Sequence, residues 1–272
     1  MKNNLKISIP LAIIITLVAV IYQRSTGPTY PKKFDIGLDK SITIKLPRSH
    51  GGETDAPVEL PILTEGMTAS LTYKRYPTED SWTRVELSKQ GALLKTNLPN
   101  QPPAGKLIYF VEINYGNEVQ SLGSKSDPVY IRYKGEVPTV ILAPHITFMF
   151  LSMLLSVVAL IEALYKTHLF VTIGRVTLAS LFIGGMILGP LVQKYAFGVY
   201  WAGFPYDWDL TDNKLLIAVL GWAFAFVMTF KVKRRWPVIT AAIILFAVYS
   251  IPHSMQGSEY DYEKGKVVTD ID

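Results

Sequence analysis

Apolar and polar positions alternate on two scales along this chain. Long apolar runs occupy residues 7 to 22, about 139 to 164, 169 to 191, 215 to 230 and 237 to 251. A helix needs about 17 to 25 apolar residues to cross a hydrocarbon core, so these runs predict five transmembrane helices, the first and last leaning on flanking residues. Between the first two runs the pattern shortens to strand-like segments: "SITIKL", "MTASLTYKRY", "SWTRVEL", "ALLKTNL", "KLIYFVEINYG", "EVQSL" and "PVYIRYKG". They are rich in Thr, Val, Ile and Tyr and are separated by turn residues, which predicts β-strands. About seven such strands in about 95 residues, with Trp82 taken as central, predict an antiparallel sandwich.

Composition agrees with the first scale. Apolar residues make up 49% of the 272 and charged residues 18%, more apolar material than a soluble core of this size needs. The basic residues then set an orientation. Lys2 and Lys6 precede the first run, Lys166 follows the second, and "KVKRRWP" follows the fourth. By the positive-inside rule the amino terminus is expected in the cytoplasm and the carboxyl terminus outside. The first run also has the basic start and apolar centre of a signal peptide, but "AVIYQRSTGP" supplies large residues where a peptidase needs small ones, so an uncleaved anchor is expected. The expected organisation is a cytoplasmic start and first anchor (1–27), a periplasmic β-sandwich (28–137), a four-helix membrane domain (138–253) and an acidic outer tail (254–272).

Cysteine is absent, which removes disulfides, thiolate metal sites and covalent c-type haem. Phosphate-loop, nucleophile-elbow, zinc-helix and dinucleotide signatures are also missing from the sequence. Ser254, adjacent His253 and Asp207 make a poor hydrolytic set, because neighbouring Ser and His rarely aim at each other. The pI of 9.1 reflects cations flanking membrane spans and does not imply nucleic acid.

The most unusual stretch is "YAFGVYWAGFPYDWDLTDNK", Tyr195 to Lys214. Tyr200, Trp201, Tyr206 and Trp208, with Tyr195, Phe197 and Phe204, fall where the chain leaves the third span and re-enters as the fourth, the place of an interfacial aromatic belt. Asp209 or Thr211 is positioned to cap the fourth helix, and Asp212 to complement its dipole. Asp207, Asp209 and Thr211 alternate like calcium-loop ligands, yet Asp212 stands where glycine is needed and Ala218 where glutamate is needed.

His145 and His253 each follow a proline at the expected outer ends of the second and fifth spans. An outer-face polar cluster of His145, His253, Asp207, Asp209, Asp212, Glu259 and Asp261 is expected. Two imidazoles there suit either hydrogen bonds to carbonyls and carboxylates or ligation of b-type haem, copper or zinc. Deeper in the membrane, Glu162 and Arg175 are expected to pair across the "YKTH" turn. Gly185 and Gly189 stand at GxxxG spacing, suited to close helix packing within the chain or to dimerisation.

The segment "NLPNQPPAGKLIYFVEINYGNEV" resembles the later strands of fibronectin type III and immunoglobulin-like modules of bacterial envelope proteins, over roughly a third of the chain. "DLTDNK" and "PHSMQGSEYDY" resemble segments of multi-pass bacterial membrane proteins without an assigned function. The resemblance implies a module that binds or spaces rather than catalyses. The expected fold is an integral membrane α-helical bundle of about five spans with an inserted all-β immunoglobulin-like sandwich. The expected role is a non-catalytic inner-membrane accessory or assembly subunit that meets the lipid bilayer and a protein partner; the alternative is a bis-histidine haem or metal protein.

Overall fold

A computed structural model describes residues 5–37, 42–252 and 258–268. The chain divides into two compact units: Met1–Pro28 with Val137–Gly257, and Thr29–Glu136 with Ser258–Asp272.

The first unit is helical. Its elements are α1 (Leu5–Thr26), α2 (Thr139–Leu164), a third helix running α3 (Leu169–Leu181), a π-helical segment (Phe182–Leu188) and α4 (Gly189–Phe197), then α5 (Leu210–Thr229) and α6 (Trp236–Ser250). Among the described residues four helices are long and apolar enough to cross a membrane: Leu5–Thr26, Thr139–Leu164, Leu169–Phe197 and Leu210–Thr229. The fifth apolar helix, α6, has 15 residues, about 22 Å at 1.5 Å per residue against a hydrocarbon core of about 30 Å.

Helix packing depends on small residues at the crossings. Trp222 of α5 is buried in the main helical core with Phe170, Leu181 and Leu245. Gly174 of α3 makes room for it, since a Cβ there would lie 3.0 Å from the indole. Gly185 receives the Leu215 side chain of α5, and a Cβ on Gly184 would lie 2.7 Å from the Phe148 Cβ of α2. The small-residue stripe of the third helix is therefore occupied by this chain's own helices.

Polar contacts tie the two ends of the bundle. At one end Ser8 Oγ of α1 donates to Glu162 Oε1 of α2 at 2.7 Å. At the other, Gln23 Nε2 donates to the Tyr249 carbonyl of α6 at 2.9 Å. Connectivity consequently brings the α2–α3 and α5–α6 turns to the end that holds Ser8.

The second unit is built from β1 (Lys32–Ile36), β2 (Ile42–Leu46), β3 (Ser49–Gly51), β4 (Ala56–Pro61), β5 (Thr68–Tyr76), β6 (Thr83–Glu86), β7 (Ser88–Gln90), β8 (Leu93–Leu98), β9 (Lys106–Asn114), β10 (Val119–Leu122), β11 (Val129–Lys134), β12 (Glu259–Asp261) and β13 (Lys266–Val268). The main sheet has the order β3-β11-β9-β5-β6, with β10 also paired to β9. A second sheet runs β4-β8-β7, and β1-β2 and β12-β13 are two-stranded. All the pairs are antiparallel except β3 with β11. Alternate residues from three of these sheets enter one core: Leu46 from β2, Val58 and Leu60 from β4, Leu98 from β8, Leu71 from β5, and Tyr109, Val111 and Ile113 from β9. Period-2 alternation puts this set on one face of each strand.

Three expectations need correction. Trp82 is half-buried before β6, its ring edge-on to Phe110 at 5.5 Å, and does not belong to the core. The strand β4, "APVELP", was not expected because it contains two prolines. It sits at the edge of its sheet, where a missing N–H is tolerated. Finally, residues 258–268 are no free outer tail but a hairpin packed on the β unit. Tyr260 N donates to the Ala104 carbonyl, Tyr262 Oη donates to Gln101 Oε1 at 2.9 Å, and Glu259 pairs with Lys106.

Candidate functional site

The site grows from the third helix. Between Phe182 and Leu188 the ladder widens to i→i+5, and Gly189 N donates to the Gly184 carbonyl. Pro190, next in sequence, contributes no N–H to this turn. His145 of α2 adds a second donor to the Gly184 carbonyl, its Nδ1 donating at 2.8 Å. This bond places the proton on Nδ1 and leaves Nε2 as the acceptor nitrogen. His145 thus braces an irregular turn against α2, and irregular turns of this type recur at functional sites.

Beyond Gly198, whose left-handed φ of 82° ends α4, the chain forms a loop before α5. Asp209 caps α5, its Oδ1 accepting from Thr211 N at 2.8 Å and Asp212 N at 3.2 Å. Asp212 turns back to the loop and accepts from Ala202 N at 2.7 Å. Asn213 Oδ1 accepts from Phe204 N at 2.8 Å. A Cβ at Gly203 would come within 2.7 Å of the Asp212 Cβ, so the loop approaches the helix as closely as a glycine permits. Asp207 bonds locally to Trp208 N at 2.9 Å.

Lys214 was not singled out by sequence reasoning. It is buried, 6% exposed, and its ammonium donates to the carbonyls of Ile251 at 2.8 Å and Pro252 at 3.3 Å. These carbonyls lie just past α6, where a cation complements the negative helix end. The available signal was a lysine directly before the apolar run that begins at Leu215.

The aromatic residues of the loop face outward. Tyr200, Phe204, Tyr206 and Trp208 are more than half exposed, while Trp201 Nε1 donates to the Phe204 carbonyl at 3.2 Å. Aspartates and asparagine therefore hold the loop from within, and the aromatic rings form its outer surface.

The remaining expected residues lie elsewhere. Glu162 is fully buried and accepts from Ser8 and from Thr167 Oγ1, the latter at 2.7 Å. Arg175 is exposed with its guanidinium 5.8 Å from the Phe226 ring centre. The expected Glu162–Arg175 ion pair is absent among the described residues, because hydroxyls from α1 and the α2–α3 turn already satisfy the carboxylate. Glu259 and Asp261 are engaged within the β unit. Glu259 pairs with Lys106, and Asp261 Oδ1 accepts from Glu263 N and Lys264 N, both at 2.9 Å. Both carboxylates are used by the hairpin and its sheet. Burial pushes the Tyr262 phenol beside them up to about 12 and the Lys106 ammonium down to about 8.

His253 and Ser254 lie outside the described residues. Among the described residues no group of three or more His, Asp or Glu side chains is placed to hold a metal ion. His145 meets a carbonyl, and the loop aspartates meet backbone N–H groups, an arrangement that fixes the turn and the loop. No protein-family description, curated protein or solved structure matches this chain.

Proposed function

We propose that the chain is a bacterial inner-membrane accessory subunit that presents an immunoglobulin-like β module to a protein partner in the periplasm. The observation that carries the membrane placement is uncovered apolar surface. The most apolar stretch of α1 has a mean hydropathy of 2.3 and is 17% buried, with Ile14, Leu17, Val18 and Ile21 more than half exposed. Surface of that kind belongs in lipid.

The orientation follows from where the cations fall. Lys6, Lys166, Arg175, Lys231, Lys233, Arg234 and Arg235 belong to the end of the bundle that holds the Ser8–Glu162 contact and the α2–α3 and α5–α6 turns. That end faces the cytoplasm by the positive-inside rule. The opposite end carries the exposed aromatic loop, which suits headgroup depth, and the β unit follows on that side of the membrane.

A docking role is supported by the way the polar groups are used. The loop carboxylates are satisfied by backbone donors, and the β sheets share a complete core. On the β unit a cleft of about 330 Å³, lined by Lys74, Tyr76, Glu79, Trp82 and Lys125 among others, offers aromatic and charged groups together. Photo-crosslinking residues placed at Glu79 and Lys125 in the full chain are expected to capture one reproducible protein from intact cells. A crosslinker at Asn117 is expected to capture much less. Equal labelling at all three positions, or none at any, would contradict the docking role.

A further inference from the structure

One groove of the helical unit has both an apolar floor and an unneutralised cationic rim. It holds about 490 Å³ and is lined by Phe226, Val227, Met228, Phe230, Lys231, Val232 and Arg234 at the end of α5. Val227 and Phe230 are more than 60% exposed. Lys231 and Arg234 are exposed, and Arg175 of α3 lies by the groove's Phe226 with its guanidinium 5.8 Å from that ring. Among the described residues no carboxylate lines the groove, and none of these three cations forms an ion pair.

With no carboxylate among the lining residues, positive potential at the rim is left for an external anion. An arginine fork matches a phosphodiester in geometry as well as charge, and the apolar floor has no use for a free anion.

We propose that this groove binds one anionic phospholipid, its phosphate held by Lys231 and Arg234 and an acyl chain lying along Phe226, Val227 and Phe230. The proposal rests on the membrane placement argued above. A lipid so held covers the exposed rings of α5 and adds a fixed negative charge where the chain has an excess of cations.

The test uses full-length protein in nanodiscs containing phosphatidylglycerol and phosphatidylcholine, released into native mass spectrometry. Wild type is expected to retain a single phosphatidylglycerol in preference to phosphatidylcholine. A K231Q/R234Q variant is expected to lose that preference on the order of fivefold per cation removed. The K233Q/R235Q variant changes charge equally outside the groove lining and is expected to keep it.

Equal loss in both variants, or no preference in wild type, overturns the site. Displacement of the lipid by millimolar glycerol phosphate would show an anion site without a lipid, which also overturns it. Thermal melts of each variant separate loss of binding from loss of folding; a variant that does not fold is replaced by the reversed-charge pair K231E/R234E, for which the same outcomes are read. Protein that remains in the aqueous phase without detergent would refute the membrane placement itself, a separate failure.

Discussion

Glu162 offers a quantitative test of how α1 is held. Its carboxylate is fully buried and accepts one hydroxyl from Ser8 and one from Thr167, each at 2.7 Å. Replacing it with alanine removes both bonds and leaves a small cavity. Interhelical hydrogen bonds in membrane proteins measure about 0.6 kcal/mol on average and reach about 1.7, and truncating a buried side chain adds a cavity cost. Glu162→Ala is therefore expected to cost about 2 to 3 kcal/mol, and Ser8→Ala about 1 kcal/mol. In a double-mutant cycle the two should couple by about 0.6 to 1.7 kcal/mol, because the hydroxyl–carboxylate bond between them exists only when both side chains are present. The assay is reversible unfolding in mild detergent, with Arg175→Gln as the control. An ion pair would make that substitution as costly as loss of the carboxylate, whereas exposure over Phe226 predicts a change within about 0.5 kcal/mol. Additive effects of the Ser8 and Glu162 variants, or an Arg175 variant as unstable as Glu162→Ala, would refute the reasoning.

Asp212→Ala leaves the Ala202 N–H without its acceptor and is expected to cost about 1 to 3 kcal/mol, read as faster proteolysis of the 198–209 loop. Gly174→Ala puts a methyl 3.0 Å from the Trp222 ring and is expected to cost about 1 to 3 kcal/mol by overpacking, with a change in Trp fluorescence. The Tyr262 phenol, raised from 10.0 to about 12 by burial, binds its proton more tightly folded than unfolded. Its contribution to stability is complete below pH 10 and is lost as pH rises through about 12. A comparison of wild type with Tyr262→Phe should therefore show the wild type losing stability more steeply above pH 10, and parallel curves would contradict the burial argument.

The sequence discloses the parts of this structure that depend on local pattern. The apolar runs map onto the helices, and "KLIYFVEIN" and "TASLTYKRY" onto β9 and β5, because their alternation survives burial in a sheet. The strand β4 was hidden by its prolines, and β12 and β13 by their brevity, since three-residue strands take their stability from the surface they pack on. The π-helical turn was illegible for a different reason: "FIGGMIL" reads as a small-residue packing stripe, and the side chain that bonds to its Gly184 carbonyl is a histidine 39 residues earlier. Spacing narrows the helix cap to Asp209 or Thr211, and the structure selects Asp209. The partners of Glu162 do not follow from spacing, because Ser8 lies 154 positions away and its approach is fixed by helix packing.

The orientation of the chain is open to a direct measurement, since cysteine is absent from the sequence. Single cysteines at Asn117 in the β9–β10 turn, at Lys264 in the β12–β13 turn and at Lys233 between α5 and α6 can be probed with a membrane-impermeant maleimide. In cells with a permeabilised outer membrane and an intact inner membrane, the account predicts labelling at 117 and 264, and labelling at 233 only after the inner membrane is broken. Labelling at 233 in intact cells, with protection at 117 and 264, would contradict it.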